Sequence, residues 1–152
     1  METTEGGMEL TQEIIEHMMN PKNYGKLDDP TGVGIGYDEK TGEYVIFYLR
    51  TDGDDITAVS FATNGCQDTV ILGSIFTEMI KETTIDDARK TAQSMQEKLA
   101  ASSAKQQACA DMVLSAFIAA LLNREHRIDG GDQEMHKIKI ENSCDIEEET
   151  PQ

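Results

Sequence analysis

Residues 44–66 read YVIFYLRTDGDDITAVSFATNGC, and the fold is decided there. From Tyr44 to Arg50 nearly every residue is β-branched or aromatic, the side chains that suit a pleated, half-buried surface. Thr51-Asp52-Gly53-Asp54-Asp55 supplies a turn, and Ile56 to Thr63 resumes the strand pattern, so the segment is a β-hairpin. Val45, Phe47 and Leu49 alternate along the first strand and make one apolar face, which needs an apolar partner. Asn64-Gly65 breaks the second strand. Beyond it Val70, Ile71, Ser74, Ile75 and Met79 recur at helical spacing, which puts Cys66 at a strand-to-helix junction.

Downstream, Thr84 opens a capped helix with Ile85, Ala88, Ala92, Met95 and Leu99 on its buried stripe, ending near Ala100. Ala101-Ser102-Ser103-Ala104 reads as a loop. A long helix from about Lys105 to Arg124 then places Cys109, Met112, Val113, Ala116, Phe117 and Ala120 on one side. Asp129-Gly130-Gly131-Asp132 marks a turn, and the alternation from Met135 to Ile140 fits one added edge strand. Upstream, Thr11 caps a short helix with Ile14, Ile15, Met18 and Met19 on one face, and Asn20-Pro21 ends it. Lys22 to Gly42 reads as a flexible, irregular loop. Its Gly32, Gly34 and Gly36 resemble a phosphate-binding loop only superficially, because no strand precedes them and no helix follows. The resulting fold class is α+β, a small antiparallel sheet packed on one face against several helices.

The 152 residues suit one domain that buries a single core. Acidic residues number 29 against 13 basic ones, a formal net charge of -16 that opposes binding to phosphate backbones, so nucleic acid is excluded as a partner. Asp145, Glu147, Glu148 and Glu149 form an acidic run expected to be a solvated tail. No apolar stretch is long enough to span a bilayer, and Met1 to Glu9 lack a basic n-region and a hydrophobic run. These features imply a soluble, cytoplasmic protein without a membrane partner.

Three cysteines, Cys66, Cys109 and Cys144, are too few and too widely spaced for a secreted disulfide framework, which leaves reduced thiols or metal ligation. A thiol at the first turn of a helix faces unpaired backbone N–H groups that stabilise a thiolate, so Cys66 suits metal binding or sulfur acceptance. Space filling beside Gly65 is the alternative. Cys109 lies on the apolar side of its helix, where an inert core cysteine is the commoner outcome, yet its place near the helix start leaves room for a second stabilised thiolate. Cys144, among polar and acidic residues, reads as an exposed thiol outside that pair. His17, His126 and His136 show no regular spacing with the cysteines, which assigns them surface or interface roles. Without a C-x-x-C pair, zinc-finger and thioredoxin-like readings fail.

Taken in order, these features resemble the iron–sulfur cluster scaffold family of the IscU/NifU type. Asn20-Pro21-Lys22-Asn23-Tyr24-Gly25 is similar to the family's Asn/His-Pro-Arg-Asn-x-Gly segment. Phe61-Ala62-Thr63-Asn64-Gly65-Cys66 looks like its aromatic-x-x-x-Gly-Cys junction, and Cys109-Ala110 resembles its Cys-Ser/Ala helix segment. The likeness covers roughly residues 20–121. It implies a scaffold domain over residues 1–128, followed by a C-terminal extension with an acidic tail over 129–152.

In such scaffolds three cysteines, assisted by an Asp, hold a nascent [2Fe–2S] cluster or a zinc ion. The resemblance carries over Cys66 and Cys109 as ligands of iron, zinc or a cluster, and Glu43 as the carboxylate. It supplies nothing for the first cysteine, because Lys40 or Thr41 stands where the family has Cys and Gly42-Glu43 where it has Gly-Asp. Ala108 replaces the His that many members carry before the last cysteine. Ala101-Ser102-Ser103-Ala104-Lys105 keeps only the Lys of the family's chaperone-binding Leu-Pro-Pro-Val-Lys segment. The implied function is a non-enzymatic scaffold or carrier, with a cysteine desulfurase as sulfur donor and apo-proteins as recipients, acting as a monomer or a cluster-bridged dimer. Two alternatives stay open: a sulfur-transfer protein that accepts a persulfide on Cys66, and a degenerate scaffold that retains only partner docking.

Overall fold

The computed structural model describes residues 11–131 and 134–140. Helix α1 spans Gln12–Met19, followed by strands β1 (Gly32–Tyr37), β2 (Tyr44–Asp52) and β3 (Asp55–Thr63), and helices α2 (Gln67–Ile80), α3 (Ile85–Lys98) and α4 (Ala104–Ile128). Strand β4 (His136–Lys139) closes the series. The four strands form one sheet in the order β3-β2-β1-β4. The expected hairpin is present as β2 and β3, paired antiparallel from Val45 opposite Thr63 to Asp52 opposite Asp55.

Val45, Phe47 and Leu49 are fully buried, so the apolar face of the hairpin has the helical partner it requires. Phe47 of β2, Phe76 of α2 and Phe117 of α4 meet there, with ring centroids 5.1 to 6.0 Å apart and tilted or edge-on planes. Each such pair contributes about 0.5–1.5 kcal/mol beyond its area burial. Thr84 caps α3 by accepting a hydrogen bond from the Asp87 amide at 3.1 Å, and Ser103 caps α4 in the same way through the Gln106 amide at 3.2 Å. The expected loop over residues 101–104 is therefore shorter, since a 3-10 turn covers Leu99–Ala101 and α4 has begun by Ala104.

The loop expected from Lys22 to Gly42 contains a strand. The glycines that suggest mobility are alternate residues on the face of β1 that lies under α4. A methyl group built on Gly34 would come within 2.2 Å of the Ala120 amide nitrogen, and one on Gly36 within 2.3 Å of the Met112 carbonyl oxygen. The helix thus rests backbone on backbone against β1, and the missing side chains are what bring it so close.

Two other expectations change. Strand β4 occupies the sheet edge as anticipated, but it pairs parallel to β1, Gly34 opposite His136 and Tyr37 opposite Lys139, so the sheet is mixed. Helix α1 does not bury its apolar stripe within the described residues: Ile15 and Met19 are exposed, and the buried residue is His17. Its Nδ1 lies 2.6 Å from the Ser74 hydroxyl of α2, which also accepts from the Lys22 amide. This short helix is held by a polar contact, and His17 belongs to the interior.

Candidate metal centre

The centre lies where β3 runs into α2. Asn64 accepts from the Tyr44 amide at 2.8 Å and donates to the Gly42 carbonyl at 3.2 Å, which ties the loop before Cys66 to the turn between β1 and β2. On its other side Tyr24 stacks edge-on against Phe61, and its hydroxyl donates to the Thr63 carbonyl and accepts from the Thr63 amide. Residues 20–25, one carrier of the family resemblance, thereby brace the end of β3 from which Cys66 projects.

Cys66 is the N-cap of α2, and its carbonyl accepts from the Thr69 and Val70 amides at 3.1 and 3.2 Å. Its side chain is half-buried. Cys109, fully buried, lies in α4, and the two Sγ atoms are 3.7 Å apart although 43 positions separate them in sequence. Two sulfurs on one tetrahedral ion at metal–sulfur distances of about 2.3 Å stand close to 4 Å apart. The pair is thus set at the bite of a shared metal, with the outer thiol reachable and the inner one beneath it.

The electrostatics differ from the sequence expectation. Cys66 does start a helix, but its thiol is pushed well above the ordinary range, first because it shares a hydrogen bond with Cys109 and then by burial. The Thr69 amide opposes this without overcoming it. Cys109 is the sixth residue of α4, beyond the first turn within which a helix terminus acts on a charge. Two adjacent sulfurs resist double ionisation until a cation joins them.

That cation has support nearby. Lys105, one turn before Cys109 on the same helix, is held above its ordinary range, chiefly by Cys66 and further by Cys109, Asp68 and Glu43, while burial acts the other way. An ammonium within electrostatic range of both sulfurs would offset negative charge gathered on them. The sequence analysis noted Lys105 only as a surviving residue of a segment; its four-residue spacing from Cys109 is the signal that marks it.

Glu43 is half-buried at the mouth of the β1–β2 turn, its amide donating to the Thr41 hydroxyl at 3.1 Å. It stands within electrostatic range of Lys105 but is not gathered with the thiols. Among the described residues no group of three or more His, Cys, Asp or Glu side chains is placed to hold a metal ion. Lys40 and Thr41 form the same turn, with the Lys40 amide bound to Asp38. Cys144 lies outside the described residues. His126 and His136 stack at 5.4 Å beside the other end of α4 and take no part in the centre.

Comparison with known proteins finds relatives of this chain. The chain is 28% identical over 114 residues to the iron–sulfur cluster assembly scaffold protein IscU 1 of Archaeoglobus fulgidus, covering 74% of each chain. It is 33% identical over 75 residues to the scaffold protein IscU of Aquifex aeolicus, covering 48% of each. The crystal structure of a nitrogen-fixing NifU-like protein (N-terminal) from Brucella abortus shares the fold with a TM-score of 0.62 at 17% identity, over 77% of this chain and 94% of that one. A family model described as the NifU-like N terminal domain matches residues 9–129, and the chain belongs to that family.

Proposed function

We propose that this protein is an iron–sulfur cluster assembly scaffold or carrier, in which Cys66 and Cys109 hold iron or a [2Fe–2S] cluster transiently and release it to apo-proteins. The observation that supports this reading is the pair of sulfurs 3.7 Å apart, one of them half-exposed. A thiol pair kept protonated by its own proximity binds a metal by releasing protons, so affinity rises with pH and the bound ion is readily given up. The same proximity disfavours a standing thiolate at Cys66, which a persulfide acceptor requires. Such clusters take four cysteine ligands as a rule, and two from one chain leave positions for oxygen donors or solvent, which makes the cargo labile. Glu43 supplies one such oxygen in this reading, and zinc fits the two thiolates as well as iron does.

Transfer of this kind needs no turnover chemistry of the protein's own. The cargo site belongs to the scaffold domain of residues 1–128, extended by residues 129–152. A cysteine desulfurase is the sulfur source, and the reducing cytoplasm keeps both thiols available. No described helix is long and apolar enough to cross a membrane. We place the cargo on the monomer, because a formal charge of -16 opposes bringing two copies together. Anaerobic reconstitution with iron and sulfide, followed by size exclusion and measurement of both in each fraction, tests the proposal. Iron in the monomer peak, lost on Cys66→Ser, is expected. Iron confined to a dimer peak overturns the monomeric site, and no iron in any fraction from protein with intact thiols overturns the scaffold reading.

A further inference from the structure

The sheet has a second face, turned away from α4. Gly34 and Gly36 of β1 and Val45, Phe47 and Leu49 of β2 point to the helices, so the residues between them point outward. An antiparallel pair with one solvated face ordinarily shows polar residues there. Here the outward positions are Ile35 and Tyr37 on β1 and Tyr44, Ile46 and Tyr48 on β2, with Ile35 opposite Ile46 and Tyr37 opposite Tyr44. Tyr44 is exposed and the other four are half-buried. Strands apolar on both faces are the kind that are covered on both faces, and a contiguous apolar patch left outward marks an interaction site.

At the β1–β2 turn this face deepens into a cleft of about 520 Å³, a size that admits a ligand group. Its floor is Ile35, Ile46 and the paired rings of Tyr37 and Tyr44. Asp38, Glu39 and Glu43 line the end at the turn, against one lining ammonium, that of Lys137 on β4. Lys137 stands beside Ile35 because β4 runs parallel to β1, a register pinned where the Ile140 amide donates to the Tyr37 carbonyl at 2.9 Å. Lys139 holds Glu39 at 3.1 Å, but both side chains are more than half exposed, so that pair is weak and yields to a competing cation.

We propose that this cleft receives an arginine side chain presented by a basic, extended segment of a partner protein. Three demands meet in that group. The floor takes the aliphatic stem, the tyrosine rings take the flat guanidinium face, and the carboxylates take its charge. The compact ammonium of a lysine lacks the flat face. A formal charge of -16 draws basic partners and repels a second copy of this chain, which brings the same carboxylates. The cleft also adjoins the thiol centre. Asn64, two residues before Cys66, accepts from the Tyr44 amide and donates to the Gly42 carbonyl, and both of those residues line the cleft. A docked segment therefore lies beside the loop that carries Cys66, and its binding requires no metal there.

Amide NMR of the isotopically labelled full-length protein, titrated with the blocked peptide Ala-Leu-Arg-Leu-Arg-Ala, tests this directly. Saturable shifts at residues 35–46 and at Lys137, with a dissociation constant of about 1 mM or tighter that weakens with added salt, are expected. Glu39→Lys should weaken binding about fivefold or more. Ile46→Ser should weaken it as well, with a spectrum outside the cleft that matches the parent. No shift at these residues at about 5 mM peptide overturns the proposal. Equal binding of a peptide with lysine in place of arginine overturns the assignment to a guanidinium. Broadening of the same resonances with protein concentration, without response to the peptide, gives the face to a second copy and overturns the proposal too. Iron loading of the parent is a separate readout, so failure here leaves the scaffold reading standing, and failure of that reading leaves the cleft.

Discussion

The two ends of α4 are built on opposite plans. Near its start Cys109 and Cys66 meet through one sulfur contact, with Thr69 at 3.8 Å as the other hydrogen-bonding neighbour of Cys66. Near its finish Asn123, Arg124 and Arg127 are each hydrogen-bonded to the sheet or to the chain leading into it. Asn123, fully buried, accepts from the Val33 amide at 2.9 Å and donates to the Glu134 carbonyl at 2.6 Å, clasping β1 and the approach to β4. Arg124 donates to the Thr51 hydroxyl and the Gly53 carbonyl, and Arg127 to the Pro30 carbonyl. One end is tied to the sheet by hydrogen bonds and serves stability; the other carries the sulfur pair on which the proposed function rests. Stability and function are thus separated along a single helix, and substitutions should separate them too.

The seam between the two ends is the place to break both. In Gly34→Ala the new methyl meets helix backbone, which cannot swing aside, so a loss of about 3 kcal/mol or more is expected, read as a lower urea midpoint. Thiol pairing should disappear with the fold. Intact stability would mean that α4 is free to lift from β1.

Asn123→Ala should act on the hydrogen-bonded end alone. It leaves the Val33 amide buried without its acceptor and costs about 2 kcal/mol. Iron bound per folded molecule should match the parent, and a proportional loss of both would show that the ends are coupled. Cys66→Ser is the converse: stability within about 1 kcal/mol of the parent, since the side chain is half-buried, but loss of bound iron on reconstitution.

The smallest effect concerns pH. The folded state holds the Cys66 proton more tightly than the unfolded chain does, so this group's contribution to stability is complete below about pH 9, the ordinary thiol value, and fades as pH rises further. Above that point the parent should lose stability more steeply than Cys66→Ser. The difference should stay below the ceiling of about 1.4 kcal/mol per pH unit for one proton, because solvent screens a half-exposed group. Equal slopes would mean that the two thiols do not interact.

What could be read from the sequence follows from where its signals reside. The hairpin, the Thr11 and Thr84 caps and the junction at Cys66 were legible because side-chain type reports them locally. Strand β1 was not, since three of its six residues are glycines whose role is to be absent beneath α4. The edge position of β4 could be anticipated from alternation, but its direction is fixed by Asn123 and Tyr37, which no local pattern reveals. The meeting of Cys66 and Cys109 came from family resemblance together with helix placement, and the sulfur separation agrees with it. The electrostatic expectation failed because a neighbour from 43 positions away outweighs the local helix terminus.

The glycine seam also determines how the centre can open. With Gly32, Gly34 and Gly36 locking α4 to β1 at successive turns, the helix can neither slide nor roll, and its 25 residues form a strut about 37 Å long. Cys109 is then an anvil, fixed to the rigid body of the domain. In the proposed scaffold role, admission of an ion to its buried sulfur would fall to Cys66, whose loop is held by the hydrogen bonds of Asn64 and Thr63. Loading and unloading should therefore register as motion of residues 63–69 against a stationary α4, with amides of that loop exchanging with solvent faster than those of β1.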